Sequence, residues 1–391
     1  MGISMKAGSK VVSNVVTFIP YPYKGGLQEY AIELSRRLRI PLVVVASNNK
    51  SLQTEIEDLF KTFGKNLYVF YADFDVFRNP LLINSGKYSE LRKIFKEFEL
   101  IHFHGPFPLT GDLALRKLDY IFTYHFDIEL RSMFANIIAR LYGSLMLRKT
   151  LKNAKVITAT SETFVRESRF LNEFRDKVVI LPLGIDARSM KPTYEYLSRI
   201  MFIGRIIPEK GIHVLLYAFK RLVAEYRDLE LFIVGKPVDI SYYNSLKALA
   251  KSMGIENSVY FTGYLDRSKM LRLLASSSVL VLPSLTRLDS FGIVVLEASA
   301  LAVPVVVSSI IPGAREFVKR AGNGFLVRPG SIDDLVVSIK TILQDPKEYG
   351  ERGRRYVIAN HDWDIVVSRA LEILSRCTFK WAKHIFSAFL I

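Results

Sequence analysis

The chain reads as an α/β protein of two successive doubly wound domains, each built on a parallel sheet. Three observations predict this. Short apolar runs recur along the sequence, each closed by a loop and most followed by a helical pattern. At 391 residues the chain exceeds the size at which one hydrophobic core usually keeps growing. The rhythm also breaks once, in the polar stretch "DARSMKPTYEYLS" (186–198), and then restarts.

In order, "VVSNVVTFIP" (11–20) suits a buried strand, "YPYKGG" a glycine-bearing turn, and "LQEYAIELSRRL" a helix. "IPLVVVAS" (40–47) is the next strand, which makes the strand–loop–helix–strand unit of a parallel sheet. "LIHFHG" (100–105), "YIFTYH" (120–125), "AKVITATS" (154–161) and "DKVVILPLG" (176–184) continue the series. After the break come the strand "RIMFIG", the loop "RIIPEKG" and the helix "IHVLLYAFKRLVAEY". In that helix Ile212, Leu215, Leu216, Phe219, Leu222, Val223 and Tyr226 share one face. "LELFIVG", "SVYFTGY", "SVLVLPS" and "VPVVVSS" are the remaining strands. The boundary is placed at 190/191, giving domains over 1–190 and 191–376.

Half the residues are hydrophobic, which fits substantial buried cores and excludes a disordered chain. Cys377 is the single cysteine, so no internal disulfide forms; with no secretory signal evident, a cytoplasmic setting is expected. The net charge of +16 favours anionic partners without choosing among them. Between Leu130 and Ser161 six basic residues and no acidic one accompany Met133, Phe134, Ile137, Ile138, Leu141, Leu145 and Leu147. This basic amphipathic stretch, 131–155, has two open readings: a core-packed helix with a solvated face, or a contact with an anionic membrane surface.

In doubly wound sheets ligands bind beyond the carboxyl ends of the strands. Gly204-Arg205 and Lys210-Gly211 stand at such an end, where two cations beside a helix N-terminus suit a diphosphate. Gly25-Gly26 opens the first helix, where glycines let backbone approach a ligand, although a plain tight turn accounts for the pair as well. "TRLDSFGIVVLEASALAVPVVVSSI" (286–310) is nearly long enough and greasy enough to suggest a membrane span, yet Asp289, Glu297 and Pro304 interrupt it. It reads better as a loop, a helix starting at Phe291, and a buried strand. The free amides of Phe291, Gly292, Ile293 and Val294 would then form the helix's first turn, and the carboxylates would accept from sugar hydroxyls. Glu297 lies among Val294, Val295, Leu296 and Ala298, an awkward place for a solvated side chain.

Taken together, these motifs resemble the family 4 glycosyltransferases of GT-B architecture. The matching segments are Gly25-Gly26 with Glu29, His125 in "TYHFD", Ser161 in "ITATS", "LPLGID" and "GRIIPEKG". "VYFTGYL", "LPSLTRLDSFGIVVLEASA", "PGAREFV" and "NGFLVRPG" follow in the same order, so the likeness spans roughly residues 12 to 345. The resemblance implies two Rossmann-like domains facing across a deep cleft, acceptor side first and donor side second, with 377–391 packing back on the first. It implies retaining transfer of a sugar from a UDP- or GDP-sugar to a glycan or lipid-linked acceptor, without a metal or other cofactor. It implies that Arg205 and Lys210 hold the diphosphate and Glu297 the ribose. Asp289 and the amides of 291–294 would hold the transferred sugar, and His125 would reach that sugar from the first domain. Gly25 and Gly26 would approach the phosphate or acceptor. One departure stands out: the family's usual Glu-x7-Glu pair begins here with the shorter Asp289.

Other signals carry less. "DFD" (73–75) and "DWD" (362–364) are too short to imply a metal, and His102 and His104 share a strand face without a visible third ligand. "TFKWAKHIFSAFLI" (378–391) is too short and charged to span a bilayer; an interfacial anchor is the rival to packing on the first domain. No transmembrane helix and no nucleic-acid partner are expected, and peripheral attachment to the cytoplasmic membrane face is a corollary of the basic stretch. The alternatives are a nucleotide-sugar 2-epimerase of the same architecture and a non-catalytic nucleotide-sugar-binding protein.

Overall fold

The structure, a computed structural model, describes residues 14–22, 25–49, 52–76, 79–128, 137, 141–287 and 290–378. It divides into two units. The first is the chain up to Gly184 with the segment from Val366, and the second is Ile185–Ile365.

In the first unit β1 (Val15–Tyr21), β2 (Leu42–Ala46) and β3 (Leu67–Tyr71) join β6 (Leu100–Gly105), β7 (Tyr120–Tyr124), β8 (Val156–Ala159) and β9 (Val178–Ile180). They form one parallel sheet in the order β3-β2-β1-β6-β7-β8-β9, and β4 (Phe74–Val76) with β5 (Asn79–Leu81) forms a separate antiparallel pair. Every residue of β1 and of β2 is buried. An unbroken apolar strand without alternation is what a sheet covered on both faces requires. Helix α1 (Gly26–Leu38) buries Tyr30, Ala31, Leu34 and Leu38 along one stripe, each large side chain contributing about 1.5–3 kcal/mol. Among the described residues, further α-helices of this unit include α2 (Gln53–Phe63), α3 (Ser85–Lys96), α4 (Thr110–Ala114), α5 (Arg148–Asn153) and α6 (Glu162–Glu167).

The second unit repeats the plan with β10 (Leu197–Ile203), β11 (Glu230–Val234), β12 (Val259–Gly263), β13 (Ser277–Leu282), β14 (Val305–Ser308) and β15 (Gly324–Val327). Its parallel order is β12-β11-β10-β13-β14-β15. Its helices are α7 (Ile212–Val223), α8 (Ile240–Ser252), α9 (Arg267–Ala275), α10 (Ile293–Ala300), α11 (Pro312–Ala321), α12 (Ile332–Gln344) and α13 (Pro346–His361). A last helix, α14 (Trp363–Cys377), crosses from the second unit into the first.

Two differences from the sequence reading have physical causes. The sequence reading does not single out strands β3 and β15 or the β4–β5 pair; β3 and β15 are runs of only five and four residues, too short for periodicity to separate a strand from a helical stretch. The units divide at Gly184/Ile185 and Ile365/Val366, earlier than the 190/191 and 376/377 of the sequence reading. The reason is a non-local stitch: Ile185 donates to the His361 carbonyl at 2.9 Å and accepts from Trp363 at 3.1 Å. The C-terminal residues 379–391 and, within the basic stretch, 131–136 and 138–140 lie outside the described residues.

The greasy stretch 286–310 resolves into a loop, α10 and β14. Eight helical residues span only about 12 Å, against roughly 30 Å of bilayer hydrocarbon. Among the described residues no helix is long and apolar enough to cross a membrane.

Candidate active site

Both sheets change winding direction at one seam, between β1 and β6 in the first unit and between β10 and β13 in the second. That is where a parallel sheet opens a crevice for ligands. Most of the sequence-predicted residues fall beside these seams: Gly25-Gly26 follow β1, Arg205 to Lys210 follow β10, and the loop from Pro283 follows β13, whereas His125 follows β7, one strand beyond the seam.

In the second unit Arg205 is exposed, whereas Lys210 closes a short 3-10 turn, Pro208–Lys210, and is only 9% exposed. Gly211 next to it has φ 67 and caps α7. A Cβ at that glycine would lie 2.2 Å from the Pro283 carbonyl oxygen, so only glycine lets the two loops meet. A hydrogen bond from Leu285 N to the Glu209 carbonyl, at 2.8 Å, closes the seam. The fold therefore fixes a lysine at a helix start, an arrangement suited to a bound anion.

Helix α10 begins at Ile293 with Gly292 as its N-cap, two residues later than the sequence predicts. Gly292 takes φ 87, outside helical geometry, so the chain cannot be helical through Phe291. The Val295 amide is tied to the Gly292 carbonyl at 3.0 Å. The amides of Ile293 and Val294 remain first-turn groups; Phe291 is a buried ring against Phe317 and His361. No side chain caps this helix. Asp289 lies outside the described residues. Glu297 is 3% exposed, and its Oε1 accepts a short hydrogen bond from Arg267 Nη1. Burial of a carboxylate demands such partners. Arg267 was missed in the sequence, because it opens α9 some thirty positions away and no local motif marks it.

In the first unit Gly25 is the N-cap of α1 at φ −150, a conformation open to any residue, and Gly26 is the first helical residue. No side chain caps this helix either, so its first amides keep their capacity to bind an acceptor. His125 follows β7 directly and is buried. Its Nε2 lies 3.0 Å from His104 Nδ1, and the edge of Tyr30 on α1 packs near both rings at 5.7 and 6.0 Å. His102 Nε2 bonds Thr123 Oγ1 at 2.7 Å, which in turn meets Thr158 Oγ1 at 2.7 Å. The alternation of "HFH" was visible in the sequence; the partnership with His125 was not, because it crosses two strands.

Burial keeps these rings neutral. It pushes His102 down to about 4 and His125 down to about 3. His104 falls well below the ordinary value through burial, with the two neighbouring rings adding to it. Histidine in the unfolded chain titrates near about 6.5, so on acidification the unfolded state takes up protons first. The stabilisation is complete above about pH 6.5 and is lost progressively as pH falls, toward about 4 for His102 and about 3 for His125, by up to about 1.4 kcal/mol per pH unit for each ring. Scanning calorimetry over this range should therefore show a shallower fall of Tm for His102→Leu than for the wild type. Parallel curves would contradict it.

The two Asp-x-Asp motifs have structural partners. Asp73 accepts from the amides of Ile83 and Asn84 and from Lys87, which hold it down at about 2, the lysine contributing most. Asp75 accepts from Ser47 at 2.8 Å. Asp362 accepts from the amides of Arg188 and Asp364, and Arg188 pairs with Asp364. Among the described residues no cluster of metal-ligating side chains is present.

Comparison with known proteins completes the description. The model for "Glycosyl transferases group 1" matches residues 189–357, and that for "Glycosyltransferase Family 4" matches residues 24–189. The chain belongs to the family 4 glycosyltransferases. This glycosyltransferase is 25% identical over 360 residues to the O-antigen chain mannosyltransferase C of Escherichia coli, covering 87% of this chain and 91% of that one. With the D-rhamnosyltransferase WbpZ of Pseudomonas aeruginosa it shares 27% over 281 residues, 68% and 70% of the two chains. Anabaena Alr3699/HepE, solved in complex with UDP-glucose, superposes with a TM-score of 0.74 at 18% identity, covering 93% and 99%. The transferase thus has the GT-B architecture; the epimerase reading is not favoured.

Proposed function

We propose that this enzyme is a retaining, metal-independent hexosyltransferase whose donor diphosphate is bound by Arg205 and Lys210. The observation that carries this is the seam of the second unit, where a nearly buried lysine and an exposed arginine stand at the end of β10. As the bond from the anomeric carbon to the diphosphate breaks, negative charge gathers on the departing oxygen. Cations already fixed there lower the barrier without reorganising, which is the role a divalent metal plays elsewhere. Glu297 accepts from the ribose hydroxyls, and the amides of Ile293 and Val294, with Asp289, hold the transferred sugar. His125 supplies a hydrogen bond to that sugar, and the first turn of α1 at Gly25-Gly26 meets the phosphate or acceptor. The new bond forms on the face that the diphosphate leaves, and its oxygen takes the acceptor's proton.

The relatives named for mannosyl and rhamnosyl transfer support a manno-configured hexose as the transferred group. A thermal-shift screen of UDP-, GDP- and ADP-sugars tests the donor. A true donor at a hundredfold excess over Kd stabilises by about 2.7 kcal/mol. Product NMR then tests stereochemistry: an α-donor should yield an α-linkage, and a β-linked product would overturn retention. No stabilisation by any nucleotide sugar would overturn the donor assignment.

A cytoplasmic location with peripheral contact to an anionic membrane face, and a glycan or lipid-linked acceptor, are part of the same proposal. Their support lies in the first unit, where Ile137, Leu141 and Leu145, four positions apart, are exposed, as are Leu109 and Leu113. Arg116, Lys117, Lys149 and Lys152 are exposed in the same segments. Asp112 ties the segments together by accepting from Tyr142 and Thr150. Apolar side chains that insert and cations that meet phosphate headgroups are the pattern of an interfacial surface. Liposome sedimentation should increase with anionic lipid and decrease with salt; indifference to both would contradict it.

A further inference from the structure

The histidine cluster of the first unit contains more information than the position of His125 alone. His125 Nε2 and His104 Nδ1 are 3.0 Å apart, so one of these nitrogens carries the hydrogen and the other accepts it. His104 is fully buried, and its other nitrogen, Nε2, has no partner. His102 is also buried, and its Nδ1 has none either. A neutral imidazole has one N–H and one bare nitrogen. A buried N–H without an acceptor is the rarer and costlier defect, and a bare nitrogen is the more tolerable one. The arrangement that leaves both unpartnered atoms bare is unique. His102 Nε2–H donates to Thr123, and His104 Nδ1–H donates to His125.

We propose that His104 is a positioning residue that fixes the tautomer of His125: Nε2 accepts from His104, and Nδ1 carries the proton. His125 then meets a ligand as a neutral hydrogen-bond donor and cannot serve as a general base through Nδ1. Such a donor suits a sugar oxygen, and it does not compete with the departing phosphate for the acceptor's proton. The edge of Tyr30, packed on both rings, keeps them in register with the start of α1. The consequence for catalysis rests on the proposed placement of His125 at the transferred sugar; the tautomer does not.

The sequence has six histidines, which allows selective 15N-histidine labelling. The His125 signals are identified by their loss in His125→Asn. The expected spectrum of the wild type shows a protonated His125 Nδ1 and a bare Nε2. The reverse pattern would overturn the proposal. His104→Asn keeps an amide N–H where Nδ1–H stood and should preserve both tautomer and turnover. His104→Leu removes the donor. It should mix the tautomers and lower kcat roughly three- to tenfold at nearly unchanged donor KM. If His104→Leu fails to fold, the wild-type and His104→Asn spectra decide the matter. If the tautomer is as expected but His125→Asn retains full turnover, the placement of His125 at the sugar fails while its tautomer stands.

Discussion

Replacing Lys210 with alanine is expected to lower kcat by roughly 100- to 1000-fold, with a much smaller change in donor KM. The size follows from what removal of one preorganised charge-stabilising donor costs in other enzymes. Lys210 is held by its backbone, in a short turn pressed against the 283–285 loop, so its ammonium costs little to orient at the moment of reaction. Charge on the departing diphosphate is greatest in the transition state, and an interaction that grows there raises kcat more than it tightens ground-state binding. Arg205→Ala should follow in the same direction. Its smaller loss reflects solvent exposure, which already weakens the field of the guanidinium. Steady-state kinetics with the donor identified by thermal shift would check both, with circular dichroism showing an intact fold. Near-wild-type turnover of Lys210→Ala would contradict the diphosphate assignment.

Glu297→Gln should act on binding instead. Ribose hydroxyls keep the same contacts through the reaction, so their loss appears as donor KM rising roughly 10- to 100-fold at similar kcat. The carboxylate is buried and its guanidinium partner is about half exposed, with a side-chain accessibility of 56%. Removing the acid therefore leaves Arg267 in water, and Tm should move by only a few degrees. A donor titration monitored by isothermal calorimetry, run beside kinetics, separates the two effects. Loss of kcat at unchanged donor affinity would place Glu297 with the reacting atoms and not with the ribose.

The parallel sheets were legible because buried strands such as β1, β2 and β14 are almost purely apolar, and β1 and β14 lead into segments that contain proline and glycine. The cations after β10 were legible because a strand–loop–helix transition is itself a local pattern. What the sequence concealed was non-local. Arg267 finds Glu297 across a helix and a strand, and His104 finds His125 across neighbouring strands. Ile185 is stitched to His361 and Trp363 at the far end of the same unit, which moved the domain boundary. The start of α10 was misplaced for a different reason. Helical periodicity runs through Phe291, but the positive φ of Gly292 interrupts it, and periodicity carries no information about a single left-handed residue. Edge strands β3 and β15 failed on length, since four or five apolar residues fit a strand and a helical stretch equally well.

The central claim is that the seam between β10 and β13 binds the donor's diphosphate through Arg205 and Lys210. Its most direct measurement is calorimetric titration of the nucleoside diphosphate into wild-type protein and into the Arg205→Ala/Lys210→Ala double variant. The free nucleoside diphosphate carries the terminal charge that the intact donor lacks and that develops in the transition state. Two charge-assisted contacts of about 1.5–3 kcal/mol each therefore predict that its affinity falls at least 100-fold in the double variant. Equal affinity in the two proteins would contradict the account.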